Sequence, residues 1–109
     1  MPYSKSLAER VQRTLRDFRG VSEKKLFGGV GFLLDGNLLV AVWQALLIAR
    51  LGADQAATAL KQPHVREFDV TGRPMKGWVM IEPDGLDSDR QLAEWIDRAL
   101  EFVSTLPVK

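Results

Sequence analysis

The sequence predicts an α+β fold: an antiparallel five-stranded sheet with helices packed on it in two layers, in the order α-β-β-β-α-β-β-α. Short apolar segments follow one another through turn signals such as Asp35-Gly36, which is typical of consecutive hairpins. Strands and helices do not alternate one by one, so a parallel βαβ sheet is not indicated. With 109 residues and no composition shift that would mark a linker, we expect one domain over residues 1–109.

The first element is predicted to be a helix over residues 4–18. Its apolar residues recur at helical spacing and form one stripe. Ser4 or Ser6 can cap the N-terminus, and Gly20 can end the helix. The stripe consists of Tyr3, Leu7, Val11, Leu15 and Phe18.

Three strands are predicted next, over residues 25–34, 38–43 and 46–51, as a meander with short connections. The second of them, LLVAVW, is apolar at every position. A strand with one solvated face alternates apolar and polar residues, so both faces of this strand are expected to be covered. A loop, a glycine-rich neighbouring strand or another subunit can provide the second cover.

The second half of the chain adds a short alanine-rich helix over residues 53–61 and two strands over 65–70 and 77–82. The last helix is predicted to begin near Ser88, because Gln91 lies three residues further on and completes a capping box. Its apolar stripe consists of Leu92, Trp95, Ile96, Ala99, Phe102, Val103 and Leu106.

The glycine-rich stretch LFGGVGF, residues 26–32, resembles part of a phosphate-binding loop but fails both common patterns. The third glycine of the dinucleotide pattern falls on Leu34. In the P-loop pattern, Asn37 and Leu38 stand where lysine and a hydroxyl residue are needed. We therefore predict no nucleotide cofactor and a structural role for the glycines, namely Gly28, Gly29 and Gly31.

Composition excludes several classes of protein. The absence of cysteine rules out disulfides, thiolate catalysis and cysteine-ligated zinc. The sequence shows no secretion leader and no apolar run long enough to span a membrane, so a cytoplasmic protein is expected. The net charge of +1 hides an asymmetry: residues 1–25 are basic and residues 82–101 are acidic. The two segments can pair with each other or remain solvated.

A specific set of residues carries a resemblance to a known family. It comprises Lys25 to Phe32 with Asp35-Gly36, Phe68 with Gly72 to Met75, Gly77-Trp78-Val79, and Leu92, Trp95 and Ile96. With this set, the chain resembles the TfoX N-terminal domain family, also called the TfoX/Sxy family, from about residue 8 to 107. The resemblance implies the fold order given above, of the secretion-chaperone-like kind.

The resemblance also implies a type of function. The family takes its name from bacterial regulators of natural competence, which act with the cyclic-AMP receptor protein and usually carry a second, helical domain. This sequence ends at Lys109, so we expect a stand-alone N-terminal domain. The resemblance implies a protein partner, with a transcription regulator as the expected class, and it supplies no catalytic residues.

Basic side chains are the candidate contacts for an anion or a partner. Those assigned to one patch are Lys24, Lys25, Arg66, Arg73 and Lys76. Their alternative role is that of solvated residues whose loop is shaped by neighbouring glycines and proline. A second set follows i,i+3 steps on the first helix and would suit nucleic-acid phosphates; it comprises Arg10, Arg13, Arg16 and Arg19.

Catalytic and pocket-forming residues are few. His64 is the single histidine, and Glu67 or Asp69 would be its nearest carboxylate partner in the role of a general base. A surface histidine in a loop is the alternative. Metal binding is not predicted, since one histidine and scattered acids do not make a ligand set. Regular apolar spacing predicts a core or interface role for Trp43, Trp78 and Trp95.

The function predicted from these features is that of a non-enzymatic regulatory or protein-interaction module. A nucleic-acid-binding accessory protein is the alternative, although the isoelectric point of 8.1 lies below that of typical DNA-binding domains. A small enzyme is the third possibility. A homodimer is also predicted, because three helices on one side of the sheet would leave the apolar second face open.

Overall fold

The computed structural model describes residues 3–26, 28–69 and 75–108. Across these residues the chain forms three α-helices and one six-stranded antiparallel sheet with the strand order β1-β2-β3-β4-β6-β5. The elements are α1 (Lys5–Leu15), β1 (Val21–Leu26), β2 (Gly29–Leu34), β3 (Asn37–Trp43), β4 (Leu46–Arg50), α2 (Ala53–Ala59), β5 (Val65–Glu67), β6 (Trp78–Ile81), a short 3₁₀ helix (Pro83–Gly85) and α3 (Asp89–Val103).

The α+β class and the antiparallel sheet are confirmed, but the strand count of five and the element order are wrong. The predicted strand 25–34 is two strands, β1 and β2, joined by a tight hairpin in which Leu26 pairs with Gly29. Gly28 has a φ of +81°, a conformation that glycine adopts without steric cost. The order over the described residues is therefore α-β-β-β-β-α-β-β-α, with the 3₁₀ turn before the last helix.

Glycine is required at position 29 because the backbone of β3 lies very close to it. A Cβ atom at this position would collide with the backbone carbonyl oxygen of Val42 on β3. Gly31 lies between Lys24 and Ala41 in the sheet. The glycine cluster thus belongs to a hairpin and a strand rather than to the start of a helix, which is where phosphate-binding loops lie.

The local signals predicted for turns and caps are present. Asp35 and Gly36 both have positive φ, 51° and 86°, as a two-residue type I′ hairpin requires. The Ser88 hydroxyl accepts a hydrogen bond from the Gln91 backbone N–H at 3.1 Å, and the Gln91 side chain accepts one from the Ser88 N–H at 3.0 Å. The capping box at the start of α3 is therefore confirmed.

The main core lies between the helices and one face of the sheet. Helices α1 and α3 bury their apolar stripes on this face, and α2 adds Ala56 and Ala59. The largest buried side chains from the strands are Phe32, Leu39, Leu47 and Ile81. Trp95 of α3 is also buried here, in agreement with the predicted core role.

The opposite face of the sheet carries a second, smaller apolar cluster, which is formed within the single chain. Its buried members are Ala41, Leu46, Ile48, Phe68 and Met80, bordered by the half-buried Trp43 and Trp78. Phe68 follows β5, and its ring centroid lies 5.9 Å from that of Trp78. Both faces of β3 are therefore covered, as its unbroken apolar sequence predicts.

The basic and acidic segments of the sequence meet in this fold. The Arg10 guanidinium donates to the Leu86 carbonyl at 2.7 Å and to the Asp89 carboxylate at 3.3 Å. These bonds join α1 to the start of α3. Of the helices in the described part of the chain, none has the length and apolar composition that crossing a bilayer requires.

Candidate functional site

The basic residues predicted to form one patch lie at opposite edges of the sheet. Lys24 and Lys25 are on β1, and Arg66 is on β5. Five inter-strand spacings separate these strands, a distance of about 24 Å at ~4.8 Å each. Arg73 lies outside the described residues, and Lys76 precedes β6. Lys24 and Lys25 therefore do not share a single anion site with Arg66.

An apolar groove lies between α2 and the start of β6, and we refer to it as the α2–β6 groove. It is a cavity of about 250 Å³. Leu60 and Met75 are 36% and 39% exposed at its margin, which makes them two of the most exposed large apolar side chains described. Its lining residues are Ala53, Ala56, Ala57, Leu60, Glu67, Met75, Lys76, Gly77 and Trp78.

Two glycines lie where the start of α2 meets the start of β6. The Gly77 carbonyl accepts hydrogen bonds from the backbone N–H groups of Leu51 and Gly52, at 2.9 and 3.1 Å. Gly52 has a φ of +84°, and a Cβ atom there would lie 2.7 Å from Phe102 Cδ1. The helix that starts at this point exposes alanine methyl groups, so the groove has an apolar floor without protruding side chains.

The Trp78 ring at the margin of the groove is supported by Arg50. The Arg50 Cζ atom lies 5.2 Å from the Trp78 ring centroid and 5.9 Å from that of Phe102. A guanidinium held over two rings gains cation–π attraction to both. Arg50 thereby connects β4, the tryptophan of the groove and α3.

A second cavity, of about 330 Å³, lies at the opposite edge of the sheet, where the end of α1 meets β1. Phe18 is 45% exposed at this cavity. The Gln12 side-chain amide donates to the Glu23 carboxylate at 2.6 Å across it. Its lining residues are Gln12, Leu15, Arg16, Phe18, Val21, Ser22, Glu23 and Phe32.

His64 lines a smaller pocket, of about 160 Å³, together with Trp95 and Arg98. The carboxylate that faces it is that of Glu82, whose Oε1 lies 4.0 Å from His64 Nδ1, rather than that of Glu67 or Asp69. The other oxygen of Glu82 pairs with Arg66 Nε at 3.4 Å. Antiparallel pairing of β5 with β6 produces this network, which the sequence spacing alone does not reveal. In the described ranges, no three metal-binding side chains come together.

The arginine series expected on the first helix is interrupted. Helix α1 ends at Leu15 rather than at residue 18, so Arg16 is its C-cap and Arg19 lies beyond it. Arg10 is bonded to Leu86 and Asp89. The four side chains therefore do not follow one helical line of phosphates.

The fold and these surfaces define an α+β domain that has helices on one face of an antiparallel sheet and an apolar groove beside one edge. The chain belongs to the TfoX N-terminal domain family, whose model matches residues 13–103. Searches of curated proteins and of solved structures gave no significant match. The resemblance carried by the glycine-rich hairpin and the Gly77-Trp78-Val79 strand is thus confirmed. Membership points to a regulatory or competence-related module.

Proposed function

We propose that this protein is a non-enzymatic regulatory module that acts in the cytoplasm by binding another protein through the α2–β6 groove. The observation that carries the proposal is the exposure of Leu60 and Met75 beside Trp78, around a floor of alanines. Methionine and tryptophan are enriched in protein interfaces. Family membership supports a regulatory role, and a transcription regulator is the proposed class of partner.

The groove suits a partner that inserts an apolar side chain. Its lining is mainly aliphatic and aromatic, and burial of such surface is the main source of binding energy. Glu67 and Lys76 supply one charge of each sign among the lining residues, which can fix the orientation of the partner.

The non-enzymatic part of the proposal rests on the surroundings of His64. Its facing carboxylate, Glu82, also pairs with Arg66, and all three side chains are substantially exposed. Such an exposed network is typical of surface ion pairs, and it does not isolate a base in a dry pocket.

Binding by groove variants tests the proposal. We expect Leu60→Asp and Met75→Asp to weaken the binding of a protein captured and identified with the wild-type chain by at least about tenfold, since each places a charge in a desolvated contact. Val108→Asp is the matched control, because Val108 is also an exposed apolar side chain but lines neither the α2–β6 groove nor the cavity beside β1. Equal binding by all three variants would contradict the proposal.

Self-association through the same groove is a further part of this proposal. The second sheet face, on which the predicted homodimer depended, is buried within the chain by Phe68 and its neighbours. We therefore base the homodimer on the apolar surface of the α2–β6 groove instead. Nucleic acid remains the alternative partner, but the interrupted arginine series on α1 lends it little support.

A further inference from the structure

Strand β1 has a hydrogen-bonding edge without a neighbour among the described residues. The Gly20 carbonyl accepts from the Asp35 N–H at 2.9 Å, so residue 20 bonds toward β2. Residues of an antiparallel pair alternate between bonding to the neighbour and facing away. It follows that Val21, Glu23 and Lys25 direct their backbone N–H and C=O groups away from β2. In the described part of the chain, these groups form no hydrogen bond with another backbone group.

The same alternation places the side chains of Val21 and Glu23 on the helix side of the sheet, where the 330 Å³ cavity lies. The apolar part of the cavity lining is Leu15, Phe18, Val21 and Phe32, and the polar part is Gln12, Arg16, Ser22 and Glu23. A strand added beside β1 would therefore direct every second side chain toward this cavity and its apolar residues. This combination of an unpaired edge and a side-chain pocket is the arrangement used in peptide recognition by strand addition.

Basic side chains outnumber acidic ones around this edge: residues 16–25 hold four of them, against the two acidic residues Asp17 and Glu23. Lys24 and Lys25 lie on β1, and Arg16 and Arg19 lie between α1 and β1. Among the described residues, none of these four side chains forms an ion pair. Lysine on an edge strand disfavours pairing with neutral or basic strands. Acidic side chains on an added strand would neutralise these charges, so the edge is selective for an acidic strand.

We propose that β1 accepts an extended acidic segment of a partner protein as a seventh strand, with alternate apolar side chains of that segment in the cavity between α1 and β1. A second copy of this chain is the competing occupant. Antiparallel two-fold pairing centred on residue 24 sets Lys24 against Lys24 of the other copy, although it also sets Glu23 against Lys25, whereas an acidic segment sets an opposite charge against Lys24. The proposed surface lies across the sheet from the α2–β6 groove and does not depend on the function proposed for that groove.

Three peptides test the proposal on the full chain. The probe is a six-residue peptide with alternating glutamate and valine, which matches the six residues of β1. The controls are the same length of alternating lysine and valine, and a peptide with three glutamates followed by three valines. Amide hydrogen exchange, followed by NMR, is the readout. We expect the probe alone to protect the N–H groups of Val21, Glu23 and Lys25, and added salt to weaken its binding.

Two proline variants separate strand addition from a general charge effect. Glu23→Pro removes an outward N–H, which an edge strand tolerates, so the chain should stay folded and bind the probe about tenfold more weakly. Lys24→Pro removes an N–H that faces β2 and should instead destabilise the fold. Lys24→Glu, which keeps the backbone bonds, should weaken probe binding several-fold and leave stability close to that of the wild type.

Several results would overturn the proposal. One is the absence of protection at Glu23 and Lys25 with the probe at saturation. Equal binding of the lysine–valine peptide, or unchanged binding by Glu23→Pro, would also do so. Protection that rises with protein concentration and without peptide would identify a second copy as the occupant. Binding of a duplex oligonucleotide in place of the probe would identify nucleic acid as the occupant of this edge. None of these measurements involves Leu60 or Met75, so failure here leaves the groove proposal untouched.

Discussion

At the scale of single residues, Gly29 shows how a contact between strands dictates residue type. Its backbone lies directly against the Val42 carbonyl, which leaves no space for a Cβ atom. We expect Gly29→Ala to lower the free energy of unfolding by about 1–3 kcal/mol, because the sheet must shift to admit the methyl group. Urea unfolding measures the change.

The neighbouring glycine provides the matched control for this prediction. Gly28 has a positive φ, and asparagine tolerates that conformation better than other residues with a side chain. Gly28→Asn should therefore cost about 1 kcal/mol or less. If Gly29→Ala is as stable as the wild type, the close approach to Val42 is not what requires glycine there.

At the scale of secondary-structure elements, the start of α3 depends on a cap that the sequence predicts. The side chains of Ser88 and Gln91 each accept a hydrogen bond from the backbone N–H of the other residue. We expect Ser88→Ala to lower the free energy of unfolding by about 1 kcal/mol. Ser104→Ala is the control: its exposed hydroxyl donates to the Glu101 carbonyl in the last turn, and its loss should change stability by no more than about 0.5 kcal/mol. Thermal unfolding of both variants separates the two effects, and equal destabilisation would argue against the capping box.

Elements with a strong local signal were predicted well, and those shaped by distant contacts were not. The Asp35-Gly36 hairpin and the cap of α3 depend on residues within a few positions of each other. The sequence does not separate β1 from β2, because β1 lies at an exposed edge of the sheet. It carries polar residues such as Ser22 and Glu23 and lacks the alternation of apolar residues that marks a strand. The predicted helix end at residue 18 was wrong for a related reason: Phe18 continues the apolar spacing, but the chain turns at Arg16.

The site was less predictable than the fold, because its surfaces join separate parts of the chain. Lys76 was named from the sequence and lines the α2–β6 groove, but Leu60 and Met75 were not identified as partners of one surface. Their proximity follows from the bonds between Gly77 and the residues before α2. Likewise, only the pairing of β5 with β6 shows that Glu82 faces His64.

At the scale of the whole molecule, the chain covers both faces of its central strands without help from a second subunit. Three helices cover one face, and the cluster around Phe68 and Ile48 closes the other. The contact of Arg10 with Asp89 also shows that the basic and acidic segments interact within one chain. Within the described part of the chain, two accessible surfaces lie along opposite sides of the sheet: the α2–β6 groove and the edge of β1.

This distribution sets the expected strength of self-association. The α2–β6 groove is lined by nine residues, fewer than the roughly 20–30 that each partner contributes to a stable interface, so we expect a reversible homodimer that forms only in the high-micromolar range. Sedimentation equilibrium over a wide concentration range should show a 12.2 kDa species that gives way to one of twice that mass. Leu60→Asp should abolish the shift, because it places an unpaired charge in the apolar contact, and Val108→Asp, which changes an exposed apolar residue outside both surfaces, should leave it unchanged. A wild-type chain that stays monomeric at every concentration would refute the homodimer. A shift that Leu60→Asp does not alter would place the dimer contact elsewhere, with β1 as the next surface to test.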